Sequence, residues 1–203
     1  MRWKIPALLS LLTLFVCAAL RAAAQSPPAA VSSPGFSPLA IGAGFSDFNI
    51  GWTNGNMQGG TLWFDYTPEF LPHPLRGLGV EAMLRDLSIE TRPKAQFDMR
   101  EDVASGGVIY SLPRYRRFRP YAKYLMGFGN DDYPVKNNMR YHQTRTVTSV
   151  GGGLDCRVSH SVWARIDYEY QFWPDFFIYA PSLHKSPGIL SPYGFTYGVM
   201  YHF

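Results

Sequence analysis

Chemistry in a protein needs ionisable or nucleophilic side chains held at fixed spacing, and this chain offers one dense set. In "VWARIDYEYQF", residues 162 to 172, Arg165, Asp167 and Glu169 recur at every second position. Two carboxylates two apart on one face could serve as the acid and base of glycoside hydrolysis. The flanking Arg165 turns the same spacing into an ion-pair ladder instead. The five histidines, His73, His142, His160, His184 and His202, include no i, i+2 or i, i+4 pair. Such scatter supplies no metal-ligand pattern, and no cofactor is expected. The "GGG" at 151–153 is followed by neither a Lys nor a helix, which a phosphate loop requires. Glycine within a strand marks a bend or a close approach. Arg114, Arg116, Arg117 and Arg119 form a basic turn, either a solvated loop or a contact for membrane phosphates.

Which elements carry these residues follows from their period. A repeat of two belongs to strands, whose side chains alternate between faces. Eight alternating runs, separated by Gly, Pro, Asn and Asp clusters, lie near 39–50, 58–67, 77–88, 100–112, 119–129, 144–158, 162–173 and 190–203. The class is therefore all-β, and an even number of runs suits an eight-stranded antiparallel up-and-down barrel with both ends on one side. One face is apolar or aromatic: Leu62, Phe64 and Tyr66, then Val80, Ala82 and Leu84, then Tyr124, Met126 and Phe128. The other face collects Asp65, Glu81, Asp155, Asp167 and Glu169 with Arg85, Lys123, Arg145, Arg157 and Arg165. Five acids against five bases can be buried together, where one unpaired charge could not. The fourth run, "VASGGVIYSL", has no decided face. If the charges point inward, the apolar face meets lipid; with the faces reversed, the chain is a soluble lipocalin-like carrier.

Three features favour lipid. Aromatic residues stand at strand ends, Tyr168 to Phe172 at one rim and Tyr201 with Phe203 at the other, as interfacial girdles do. The connection Ser159-His160-Ser161 is short, whereas those around 88–99, 130–143 and 174–189 are long. A three-residue turn there sets Val158 opposite Val162, Arg157 opposite Trp163, Cys156 opposite Ala164 and Asp155 opposite Arg165, keeping charge on one face. The third is "YGFTYGVMYHF", residues 193 to 203, an alternating strand with one wholly aromatic or branched face.

Arg2 and Lys4 precede an apolar run from Leu8 to Leu20, followed by Ala22-Ala23-Ala24. This reads as a signal peptide over residues 1–24, too short for a spanning helix, which needs about 20 apolar residues. Removing Arg2, Lys4 and Arg21 from the 19 basic residues leaves 16 against 15 acidic ones, so charge gives no reason to expect nucleic acid. Residues 25–38 form a Pro-rich leader and 39–203 the barrel. Cys17 leaves with the signal peptide, and Cys156 then has no intramolecular disulfide partner. Sixteen strands and their loops would not fit this length, and a barrel of about eight strands is filled by its own side chains.

The runs "RPYAKYLMGFG", "VGGGLDCRVSHSVWARIDYEYQFW" and "GFTYGVMYHF" resemble the small outer-membrane β-barrel proteins of Gram-negative bacteria, the OmpA/OmpX-type group often labelled porin-family. The resemblance spans the chain after the signal peptide. It implies an outer-membrane location, contact with outer-membrane lipids and lipopolysaccharide, a monomer, and a last strand recognised by the outer-membrane assembly machinery. The insertion signal maps onto Tyr197, Val199, Tyr201 and Phe203. It implies no shared activity, so the expected role is non-enzymatic, structural or loop-mediated binding. An alternative is a lipid A-modifying enzyme: His160-Ser161 and His184-Lys185-Ser186 invite comparison with outer-membrane deacylases, but the His-x-Ser-Asn run of that group is missing.

Overall fold

The computed structural model describes residues 38–50, 56–68, 70–72, 75–90, 98–134, 140–178 and 186–203. The readings at 1–24 and at His73 and His184, and nearly all of the leader, fall outside these residues. The described residues form nine strands: β1 (Leu39–Asn49), β2 (Asn56–Tyr66), β3 (Leu78–Glu90), β4 (Asp98–Ser111), β5 (Phe118–Pro134), β6 (Arg140–Arg157), β7 (Val162–Ile178), β8 (Ser186–Leu190) and β9 (Tyr193–His202). Each barrel strand pairs antiparallel with its neighbours, and β9 lies between β1 and β7. That pairing closes an eight-stranded ring. The short β8 adds to the far end of β7 beyond a bulge.

Alternation decides which way each strand faces. Ile41, Phe45, Leu62, Phe64, Val80, Leu84, Tyr124, Met126, Phe128, Ile166, Tyr168, Phe195, Tyr197 and Val199 all stand exposed on the outside. An apolar belt of this extent cannot face water, where single patches seldom exceed a few hundred Å². Lipid covers it, because a closed ring satisfies every ladder hydrogen bond internally and so can enter the hydrocarbon. The charges are inside. The reversed-face lipocalin arrangement is thereby set aside.

Aromatic rings mark both edges of the belt. Tyr168 meets Phe195 at 5.1 Å, Tyr170 stacks on Tyr193 at 6.3 Å, and at the terminal end Tyr201 packs edge-on to Phe203 at 5.2 Å. At the end away from the termini, the outward residues turn polar: Asp86, Arg100, Asp102, Asn130, Asp132 and Thr144. Arg100 there bridges Asp86 at 2.9 Å and Asp102 at 3.2 Å.

The strands nevertheless continue past that edge, which corrects the expected loop lengths. β5 runs to Pro134 and β6 starts at Arg140, so most of the connection expected at 130–143 is paired strand. β7 runs to Ile178 and pairs with β8, so much of 174–189 is strand as well. Polar outward residues end the apolar pattern at the lipid edge, but backbone pairing needs no apolar side chain.

At the terminal end two of the turns are tight. Across Ser159-His160-Ser161, the amides of Val158 and Ser159 both donate to the Val162 carbonyl, at 3.0 and 2.9 Å, and the Val162 amide donates to Ser159 Oγ at 3.1 Å. Asp155 faces Arg165, Cys156 faces Ala164 and Arg157 faces Trp163, the register that a three-residue turn demands. In the other tight turn Tyr115 and Phe118 exchange both backbone hydrogen bonds at 2.9 Å around Arg116 and Arg117. Arg116 adopts a positive φ of 56° there.

Candidate functional site: a sealed charged lumen

The inward face builds three layers. Nearest the termini, Ala40, Trp63, Trp163 and Met200 form an apolar plug. Trp63 lies across Gly42 and Gly198, where any Cβ would collide with its indole. At the other end a larger apolar plug includes Phe48, Met57, Leu87, Met99, Val103, Leu125, Val147 and Trp173. The charge lies between them.

Three cations organise that middle layer. Arg165 donates from Nε to Asp155 Oδ1 at 2.8 Å, from Nη2 to Asp65 Oδ2 at 2.7 Å and from Nη1 to Glu81 Oε2 at 3.0 Å. Lys123 reaches Glu81 Oε1 at 3.0 Å, Glu169 Oε2 at 3.1 Å and the Asp167 carboxylate. Arg85 grips both oxygens of Glu169, at 2.7 and 3.2 Å, and donates its Nε to Thr61 Oγ1 at 3.1 Å. All eight of these charged residues are buried. Neutral groups complete the shell: Tyr121 donates to Asp167 Oδ1 at 2.9 Å, Gln171 to Glu169 Oε1 at 3.1 Å, and Trp173 to Gln171 Oε1 at 2.9 Å. Rings flank the guanidinium planes, with Arg165 4.5 Å from Tyr121 and Arg85 4.2 Å from Phe48. Charge-assisted and bidentate contacts are the strong kind, and burying a charge demands them.

The "GGG" of β6 acquires a role here. A Cβ at Gly151 would crowd the Lys123 side chain and one at Gly153 the Tyr121 hydroxyl. Absent side chains at these positions make room for two members of the network on β5.

Of the ten charged residues singled out by alternation, Asp65, Glu81, Arg85, Lys123, Asp155, Arg165, Asp167 and Glu169 come together. Arg145 and Arg157 do not. They sit towards opposite ends of β6, and Arg157 donates its Nε to the Ser159 carbonyl at 3.0 Å within the turn. In place of Arg157, Arg119 stands across the ladder from Asp155, half-buried with its guanidinium 5.0 Å from the Trp163 ring. The sequence groups Arg119 with the basic turn; its odd parity, shared with Tyr121 and Lys123, is the signal that places it inside. Glu101, Asp131 and Gln143 are also buried and inward, and alternation had not singled them out. His160 is exposed in the three-residue turn, and the Ser161 carbonyl accepts from the His202 amide at 2.8 Å.

The four residues that the resemblance marks as an insertion signal lie on or directly after the last strand. Tyr197, Val199 and Phe203 are exposed on the lipid face, and Tyr201 is half-buried against Phe203. Tyr201 and Val199 pair with Ile41 and Ala43 on one side and with Val162 and Ala164 on the other.

A family model described as "Outer membrane protein beta-barrel domain" matches residues 11–203. The chain belongs to the outer-membrane β-barrel family. Its location is therefore the bacterial outer membrane. Among solved structures the chain is similar to Neisserial surface protein A, at 14% identity and a TM-score of 0.60, covering 83% of this chain and 99% of that one. It is similar also to Ail, the attachment invasion locus protein of Yersinia pestis, at 16% identity, a TM-score of 0.53 and coverage of 83% and 99%. OprG from Pseudomonas aeruginosa matches at 14% identity and a TM-score of 0.50, covering 85% and 99%. At these identities the likeness is one of fold. No curated protein matches the chain. Within the family frame, the terminal end of the barrel faces the periplasm and the end carrying β8 faces outward.

Proposed function

We propose that this outer-membrane barrel is a non-enzymatic protein that acts through its lipid-facing wall and its outer end rather than through its lumen. One observation carries the reading: among the described residues, eight mutually paired charges lie buried between two apolar plugs, an arrangement that favours a filled barrel centre over a channel or a catalytic cleft. The outer strands, extended beyond the belt, carry a structural or binding role into the lipopolysaccharide layer. The aromatic girdle and apolar belt make lipid and lipopolysaccharide the standing partners. Tyr197, Val199, Tyr201 and Phe203 serve as the signal for the assembly machinery, and the barrel works as a monomer.

The test joins two measurements on cells expressing the protein with one on the purified barrel. Membranes washed with high salt and carbonate should retain it, as a band whose gel mobility changes on boiling. Lipid A from the same cells should show an unchanged mass spectrum. Purified barrels in planar bilayers should give no sustained conductance. Loss of acyl chains from lipid A that depends on Ser161 or Ser186 would overturn the non-enzymatic reading.

A further inference from the structure

Above the sealed network, at the level of the outer plug, the inner wall carries a second polar group that the network does not use. Glu101 on β4, Asp131 on β5 and Gln143 on β6 are consecutive across the ladder, with Glu101 opposite Asp131 and Asp131 opposite Gln143. Directly opposed residues share a face and have Cβ atoms about 4.5–5.5 Å apart. Glu101 and Asp131 are fully buried and Gln143 is 6% exposed. Both oxygens of each carboxylate and both amide atoms of Gln143 lack a hydrogen-bond partner. Six such atoms side by side call for a partner, since buried polar atoms nearly always find one. Neither carboxylate makes an ion pair among the described residues. Arg85, the buried guanidinium on the adjoining strand, is held by both oxygens of Glu169.

The neighbours make the arrangement costly as it stands. Leu87 faces Glu101 from β3, and Met99 and Val103 flank it along β4. Two adjoining carboxylates among apolar side chains cannot both ionise unless something positive joins them. Gln143 extends the argument beyond charge, because its orphaned carbonyl oxygen is a third hard donor beside the pair. Carboxylates that bind singly or doubly, joined by an amide carbonyl, form the oxygen set that Ca²⁺ accepts in irregular geometry. The three side chains offer at most five oxygens, so water must complete the roughly six to eight that Ca²⁺ takes; Mg²⁺ demands a stricter octahedron at shorter distances and gives up its waters reluctantly.

We infer that Glu101, Asp131 and Gln143 form a Ca²⁺ site inside the outer half of the barrel, tying β4, β5 and β6 together just above the lipid belt. The cation would neutralise the carboxylates and use the amide oxygen, and Gln143 would rank below the two acids in its contribution.

The experiment uses the chain folded from inclusion bodies into detergent micelles free of lipopolysaccharide, stripped with EDTA and dialysed. Calorimetric titration with CaCl₂ should show one site per chain, and Mg²⁺ should bind more weakly. Tb³⁺ offers a positional readout, because the Trp173 indole packs against Gly129, two residues from Asp131 on the same strand. Tb³⁺ held at the site should luminesce when tryptophan is excited, and Ca²⁺ should quench that signal by competition. Glu101→Gln and Asp131→Asn should each weaken Ca²⁺ binding about tenfold or more, and Gln143→Leu by less, following the usual cost of losing a ligand or its support. Asp86→Asn, on the outer surface, should bind as the parent does. Heat-modifiable gel mobility reports whether each variant has folded. A parent chain that takes up no Ca²⁺ overturns the proposal whatever the variants do, as does uptake undiminished in the folded Glu101→Gln, Asp131→Asn double variant. Raised stability of that double variant beside a parent chain whose own stability Ca²⁺ leaves unchanged also overturns it, since the pair would then hold only a proton.

Discussion

Arg165 donates to three carboxylates, whereas Asp155 has a second guanidinium, Arg119, across the ladder on its other side. The two ends of this ion pair are therefore unequal. Arg165→Ala strips Asp65 of its ion pair with Arg165 and loosens Glu81. We expect it to cost about 3–5 kcal/mol, the range for stranding a buried charge. Asp155→Ala leaves Arg165 two other carboxylates, and should cost about 1–3 kcal/mol. The double variant should fall well short of the sum, because the charges are removed together. Urea titrations in lipid vesicles measure all three, and equal single costs with full additivity would contradict this account. Much of the layer was legible beforehand. Its residues alternate with lipid-facing ones, and lipid tolerates no charge on the wrong parity. Arg119 was obscured because three other arginines precede it in a turn. Glu101 was obscured because Ser105, Gly106 and Gly107 blur the parity of β4, and Asp131 because the polar outward residues beside it resemble a loop.

Strands and turns carry their own consequences. The two-residue turn at Arg116-Arg117 holds an L-residue at a φ of 56°, where glycine is the favoured occupant. Arg116→Gly should therefore be neutral or stabilising by up to about 1 kcal/mol, measured as a shift in the urea midpoint. A clear loss would mean that the Arg116 side chain, 5.6 Å over Tyr115, contributes more than the backbone strain costs. Gly153→Val tests the cleared lane beside Tyr121. Its new methyls meet the Ile166 carbonyl and the Tyr121 hydroxyl, so we expect about 3 kcal/mol of destabilisation or failure to fold. Replacing both Tyr201 and Phe203 with Asp puts charge on the lipid face of the last strand, and the heat-modifiable band should largely vanish from outer membranes. Normal band levels would show that the wall and the assembly step tolerate the change. The register across Ser159-His160-Ser161 was readable because a shift by one residue would turn every side chain of β7 over. The height of β5, β6 and β7 was not, because nothing in a polar outward sequence distinguishes paired strand from loop.

At the scale of the whole barrel, the charges that matter most are the ones salt cannot reach. Mobile ions screen exposed pairs over a Debye length of about 8 Å at physiological strength, but they act far less on buried ones. Unfolding free energy in vesicles should stay within about 0.5 kcal/mol between low and high NaCl, with Arg100 and its two exposed aspartates the chief source of any drift. A steep decline with salt would place water in the lumen. The closure of β9 onto β1 has a further effect, on time rather than on energy. Leu39 and Tyr66 pair across a short stretch of chain, but Ala40 and His202 meet from opposite ends of the barrel sequence. Contacts of such separation form late and slowly. Once made, they leave a ring without a lateral edge from which to peel, so hydrogen exchange along the belt strands should proceed at one shared, very slow rate, set by the rare event of opening the whole ring.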